Sequence, residues 1–291
     1  MAKPRLAIAL GSGSARGWAH IGVLRTLQEA GIVPDIVCGT SIGAFVGAVY
    51  ASGKLDPLEK WVRGLTRRDV FSYFDVTLDA GGLIKGEKLL GYTSRSFLGE
   101  TFASLDRPFA CVATDLASGR EVWLREGLIM NAVRASVALP GLLAPHLLDG
   151  RYLVDGGLVN PVPVSLCRAL GADLVIAVDL GMDTVSLHPH NNNALPVPVP
   201  AWRQVMGRWL GREGDGEEVF RPSLADVVSN SIAIMQGRIS RSRLAGEPAD
   251  VLITPRLGQL GLLDFHRAEQ AITAGHKATE HMLPLLHSLL E

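Results

Sequence analysis

The sequence predicts an α/β protein, a three-layer α/β/α arrangement around a mostly parallel sheet. Three observations carry that reading. Short apolar runs of strand length alternate with stretches of helical period along most of the chain. The runs are continuously apolar, as in strands covered on both faces. Most are closed by glycine or a turn residue before a helix begins, the pattern of repeated strand–helix units.

Taken in order, "LAIAL" (Leu6–Leu10) is the first strand, followed at once by glycine. "WAHIGVLRTLQEAG" repeats its apolar residues at helical spacing and ends at Gly31, a natural C-cap. "IVPDIVCG" reads as a second strand, "AFVGAVYASG" as a helix closed by Gly53, and "PLEKWVRGLTRR" as another. Beyond a loop at Gly81–Gly82, "GEKLLGYTSRSFLG" is predicted helical. "FACVATDL" and "EVWLRE" are strand-like, and "LIMNAVRASVAL" is a helix stopped by Pro140. "RYLVDGG" is a strand ending in a turn, "PVSLCRALGA" a helix, and "DLVIAVDLG" the clearest buried strand. "SLADVVSNSIAIMQGRISRSRLAG" is a helix of about six turns. The strand "DVLITP" and a closing helix from Asp264 finish the fold, and a single domain over residues 1–291 is expected.

Between Asp183 and Pro222 the pattern breaks. The stretch is rich in Asn, Pro and Gly, and it reads as a mobile insertion. Within it, Trp202, Val205, Met206, Trp209 and Leu210 recur at helical spacing beside Arg203, Arg208 and Arg212. Residues 201–212 are therefore a candidate for peripheral membrane contact or a lid. The competing reading is a segment docked on its own domain or on a second subunit of a homo-oligomer.

Composition excludes some classes. Hydrophobic residues make up 47% of 291, and 28 Lys+Arg balance 29 Asp+Glu, so no bulk positive charge exists to hold nucleic acid. Cys38, Cys111 and Cys167 lie in apolar runs without zinc spacing, which reads as reduced core thiols in a reducing compartment. The apolar run after the N-terminus is too short for a signal peptide, and no stretch reaches the length of a membrane span. The expectation is a cytoplasmic protein, peripheral at the inner membrane surface if residues 201–212 bind lipid.

Chemistry enters at "GTSIG", Gly39–Gly43. This G-x-S-x-G occurs by chance in roughly one such chain in five, so alone it decides nothing. Its setting is more specific: a strand precedes it and a helix follows, as a turn exposing a nucleophilic Ser41 requires. Gly39 and Gly43 leave room where strand and helix crowd together. The bland reading is an ordinary turn with a helix-capping serine. The usual hydrolase triad does not fit, because only one or two strands precede Ser41 and no histidine stands in the expected place. His188 and His190 fall in the Asn/Pro segment, and His266, His276, His281 and His287 are strewn along the closing helix. His20 on the first helix and His146, read as a loop residue, could approach, but a lone histidine is usually structural.

Two further stretches complete the constellation. "ALGSGSARGWAH" joins the first strand to the first helix through small residues, and unpaired amides at such a turn favour negative charge. A dinucleotide fingerprint would need Gly at position 16, where Arg16 stands, and no ribose-binding acid follows. In "YLVDGGLVNPVPV", Asp155 ends an apolar strand ahead of Gly156 and Gly157. A carboxylate at a strand's carboxyl end lies where α/β active sites lie, and desolvation could raise its pKa enough for it to act as a base. The bland reading is a turn residue before glycine.

With "GSGSARGWAHIGVL", "GTSIGAFVGA", "CVATDLASGREVWL", "RASVALPGLLAP" and "LVDGGLVNPVPVSL" in this order, the chain resembles the patatin-like phospholipase family, near its compact bacterial members related to the neuropathy-target-esterase group. The resemblance implies a patatin-like fold and a Ser–Asp dyad, with Ser41 as nucleophile and Asp155 as general base. It implies backbone oxyanion donors near Gly13 and Ser14, with Ser12, Arg16 and Gly17 in the same loop. Ser12 and Ser14 depart from the family's consecutive glycines, which makes positive φ angles costlier there. The implied activity is hydrolysis of fatty-acyl esters of phospholipids or lysophospholipids, with no metal or organic cofactor. The alternative is a partner-binding regulator whose hydrolytic site is vestigial.

Overall fold

A computed structural model describes residues 4–73, 87–181 and 224–291. In chain order the elements begin β1 (Leu6–Leu10), α1 (Ala19–Glu29), β2 (Ile36–Thr40), α2 (Ile42–Ala51), α3 (Leu55–Arg63), α4 (Arg67–Tyr73) and α5 (Glu87–Phe97). They continue with β3 (Phe109–Asp115), β4 (Glu121–Leu124), α6 (Ile129–Ser136), β5 (His146–Leu148), β6 (Arg151–Asp155), α7 (Val164–Ala169) and β7 (Leu174–Val178). The chain ends with α8 (Leu224–Gly246), β8 (Val251–Ile253), α9 (Ala268–Glu280) and α10 (Leu283–Leu290). The proposed insertion at 183–222, its segment 201–212 and the loop at Gly81–Gly82 lie outside the described residues.

The strands form one sheet in the order β5-β6-β3-β2-β1-β7-β8, with β4 on the second edge of β3. β3, β2, β1, β7 and β8 run parallel, while β4 and β6 are antiparallel to β3, and β5 to β6. Successive side chains of a strand point to opposite faces, and β1 shows both. Leu6, Ile8 and Leu10 pack in one buried cluster with Ile21 and Leu24 of α1, Val46 and Val49 of α2, and Ile272 of α9. Ala7 and Ala9 lie in another, with Val164, Leu166 and Cys167 of α7, against which Leu244 of α8 packs. Helices therefore cover both faces, and the three-layer α/β/α prediction holds.

Boundaries differ from the sequence reading in several places. His146 lies in β5, a three-residue strand too short to show a pattern, and not in a loop. The closing helix is two helices, α9 and α10, which part around His281 and Met282 just ahead of Pro284. Proline's missing N–H and its clash with the preceding turn account for the break. The stretch 57–68 likewise divides between α3 and α4, with Gly64 as the C-cap of the first. α6 stops at Ser136, before Pro140, and the Ala138 carbonyl beyond it accepts the Asp155 N–H at 2.9 Å. All three cysteines are buried and unbridged. Among the described residues no helix is long and apolar enough to cross a membrane.

Candidate active site

The register of β3 brings two remote stretches together. β2 pairs with β3 up to Thr40 opposite Val112. β6, running the other way, takes up the next position, with Asp155 opposite Ala113. At Ala113 and Thr114 the second edge of β3 is occupied by β4, so β6 must follow β2 along the same edge. β2 and β6 thus meet head to head, each presenting its carboxyl end. The residue after Thr40 is Ser41; the last residue of β6 is Asp155.

Ser41 turns sharply, with φ 58° and ψ −125°. A non-glycine residue with positive φ is uncommon and costs on the order of 1–3 kcal/mol, held here by its surroundings. A side-chain carbon on Gly39 would fall 2.4 Å from the Gly43 carbonyl oxygen, and one on Gly43 only 2.1 Å from that of Leu10. Both flanking glycines are therefore required by backbone contact. The Ser41 N–H donates to Ser136 Oγ at 2.9 Å, and that hydroxyl donates to the Val112 carbonyl at 2.7 Å. Ser136 thereby fixes the turn and occupies the Ser41 amide.

The Ser41 hydroxyl donates to Asp155 Oδ2 at 2.5 Å. Asp155 Oδ1 accepts the Gly157 N–H at 2.7 Å, and its backbone carbonyl accepts the Thr114 hydroxyl at 2.8 Å. The carboxylate is fully buried, and burial raises its pKa from 3.8 to about 6 against the opposing bonds from Ser41 and Gly157. A carboxyl group in that range is still largely ionised at neutral pH yet basic enough to accept a proton. A side-chain carbon on Gly156 would lie 2.2 Å from the Val112 carbonyl oxygen, so the turn sits directly on β3.

The glycine-rich loop packs beside Ser41. A side-chain carbon on Gly17 would stand 2.2 Å from Ile42, the residue after Ser41. Ser14 takes φ 51°, the left-handed conformation that costs a serine more than a glycine. Its hydroxyl offsets that cost by donating to the Leu262 carbonyl at 2.6 Å, which also accepts the Ala15 N–H at 3.0 Å. Arg16 donates through Nε to the Leu260 carbonyl at 2.9 Å, so it anchors the loop, and burial lowers its pKa. The Ser12 N–H donates to the Pro161 carbonyl at 2.9 Å. The amides of Gly13 and Ser14 have no hydrogen-bond partner among the described residues.

One strap, residues 155–161, carries Asp155 and touches the other two motifs. Asp155 meets Ser41, the Asn160 carbonyl accepts the Thr40 hydroxyl at 2.9 Å, and the Pro161 carbonyl holds Ser12. α8 closes over this strap. Gln236 Oε1 accepts from the Ser12 hydroxyl at 3.5 Å, and a side-chain carbon on Gly157 would lie 2.4 Å from the Gln236 amide nitrogen. Ser240, one turn on, donates to the buried Asp179 at 2.6 Å, and Arg243 pairs with Glu121.

Ser136 and Gln236 were not singled out from the sequence. Ser136 had a signal: Ile129, Ala132, Val133 and Ser136 form a buried stripe on α6, with a hydroxyl where an apolar residue is expected. Gln236 had none, because its neighbour Ser12 is far away along the chain. Among the described residues no group of three His, Cys, Asp or Glu side chains stands together as a metal site would require. Burial pushes the Cys38 and Cys111 thiols upward, leaving them protonated and unreactive.

Residues 8–168 match the patatin-like phospholipase family model. An NTE family protein of Mycobacterium tuberculosis is 35% identical over 94% of this chain and 89% of its own. Lysophospholipase NTE1 of Pyricularia oryzae is 30% identical over 93% of this chain, which spans 18% of that larger protein. The crystal structure of VipD from Legionella pneumophila aligns over 97% of this chain and 67% of its own, at 14% identity and a TM-score of 0.48. Extending as it does through both the Ser41 turn and the Asp155 strap, with a relative matched over nearly its whole length, the likeness shows that this chain belongs to the patatin-like phospholipase family.

Proposed function

We propose that the protein is a serine esterase that hydrolyses fatty-acyl ester bonds of phospholipids or lysophospholipids. Ser41 is the nucleophile and Asp155 the general base, with the Gly13 and Ser14 amides as oxyanion donors. The observation that supports this reading most is the 2.5 Å hydrogen bond from the Ser41 hydroxyl to a fully buried carboxylate. The ester carbonyl seats against the loop amides, and Ser41 Oγ attacks its carbon while Asp155 Oδ2 takes the hydroxyl proton. The tetrahedral oxyanion collapses, and the departing alcohol or lysolipid oxygen receives that proton from Asp155. Water then gives a proton to Asp155 and attacks the acyl-serine; fatty acid leaves, and the proton returns to Ser41.

Because the Ser41 amide is engaged by Ser136, the oxyanion must find its donors elsewhere, and the Gly13 and Ser14 amides, without a partner among the described residues, meet that need. The test is product analysis of purified protein beside Ser41→Ala, using a phospholipid, a lysophospholipid and a short p-nitrophenyl ester. Fatty acid released by the wild-type protein and lost in Ser41→Ala is the expected result. Equal release from both would overturn the assignment of Ser41. No release from any of the three esters would favour the regulatory reading.

A further inference from the structure

His20 is fully buried on the first turn of α1, yet the proposed reaction gives it no role. Its Nε2 lies 2.8 Å from the Gly11 carbonyl oxygen, and its buried Nδ1 has no hydrogen-bond partner among the described residues. A carbonyl only accepts, so Nε2 carries the hydrogen and Nδ1 the lone pair. Leaving that lone pair dry is unfavourable, and an apolar side chain would avoid the cost. Burial lowers the ring's pKa to about 4, so the ring is neutral at working pH and unsuited to act as the base for Ser41.

The position of the accepted carbonyl is what matters. Gly11 is where β1 ends and the glycine-rich loop begins. Its own N–H continues the ladder to Val178 at 3.0 Å, and a side-chain carbon there would lie 2.6 Å from the Val178 carbonyl oxygen. The peptide joining Gly11 to Ser12 then has both polar ends held. His20 takes its carbonyl, and Pro161 accepts its N–H at 2.9 Å. A peptide plane tied at both ends cannot flip without breaking two buried bonds. The next two amides along the chain are those of Gly13 and Ser14.

We infer that His20 is a positioning residue for the glycine-rich loop: by donating to the Gly11 carbonyl it fixes the Gly11–Ser12 peptide plane and so the direction of the Gly13 and Ser14 amides. The inference rests on the proposed esterase reading. It assigns His20 no contact with substrate; loss of the donor lets the plane rotate and blurs a preformed oxyanion site.

The experiment compares His20→Leu, which removes the donor at similar bulk, with His20→Gln, whose Nε2 can reach the same carbonyl. Both are assayed for kcat and KM on a short p-nitrophenyl ester, with thermal melting alongside. His20→Leu is expected to lose about 10- to 100-fold in kcat with KM little changed, and His20→Gln to recover most of it. Wild-type kcat in folded His20→Leu, or equal losses in both variants, would overturn the inference. Nitrogen NMR of the histidine-labelled wild-type protein stands independently of whether either variant folds. It should show His20 as the neutral Nε2–H tautomer from about pH 5 to 8, and an Nδ1–H tautomer would contradict the assignment. Failure of the esterase reading itself is told apart by Ser41→Ala, whose turnover would then equal that of the wild-type protein.

Discussion

The Ser41 turn and the Asp155 turn lie head to head on one edge of β3, but they are built in opposite ways. Ser41 is held by backbone: positive φ, two glycines in contact with neighbouring main chain, and an amide tied to Ser136. Asp155 has ordinary extended backbone, φ −48° and ψ 131°, and is held through its side chain, which accepts from Ser41 and Gly157. Strain is stored at Ser41 and desolvation at Asp155. Two different properties should therefore fail when each is altered: geometry at the first, proton affinity at the second.

The largest effect is expected where both turns meet. Ser41→Ala and Asp155→Asn should each lower kcat on an ester by at least about 10³-fold, as the loss of either half of a coupled pair does. Steady-state kinetics will show it. Next come the glycines, which separate the two turns. Gly43→Ala puts a carbon 2.1 Å from a β1 carbonyl oxygen and should cost several kcal/mol, about 3 or more, in a denaturant melt. Gly157→Ala meets the end of the flexible Gln236 side chain and Asp155 Oδ1, so most of the fold should survive while activity falls.

Ser136→Ala probes the backbone side alone. It leaves the Ser41 amide without its buried acceptor and should destabilise by about 1–3 kcal/mol, with a loss of roughly 10-fold in kcat. An unchanged melting temperature would deny Ser136 its role. A subtler effect probes the side-chain side. Asp155 has a folded pKa of about 6 against an ordinary 3.8, so the fold favours its protonated form. The stability from that preference is complete below about pH 4 and is lost as pH rises through about 6. Asp155→Asn should then be more stable than the wild-type protein at about pH 8, by on the order of 2–3 kcal/mol, and the gap should close near pH 4. A gap that is constant with pH would remove desolvation as the cause.

The same contrast explains what could be read from the chain. The Ser41 turn was legible because its constraints are local: Gly39, Gly43, a strand before and a helix after all lie within one short stretch. Asp155 was legible only as a carboxylate at a strand end. Its meeting with Ser41 depends on β6 following β2 along β3, a register no local pattern records. His146 reads as a loop residue because β5 is too brief to show alternation. His20 reads along the chain as a lone structural histidine, and its contact with Gly11 exists only because α1 lies against the loop. Residues 260–265, whose carbonyls hold Ser14, Arg16 and Trp18, carried no signal, since backbone acceptors are the same in every residue.

The most direct test of the dyad is the rate at which a fluorophosphonate modifies the protein as a function of pH, with the adduct located by peptide mass spectrometry. The account predicts a single adduct on Ser41, forming faster as pH rises, with a midpoint near 6, and suppressed in Asp155→Asn. An adduct on another residue, or labelling of Ser41 that is equally fast in Asp155→Asn, would contradict it.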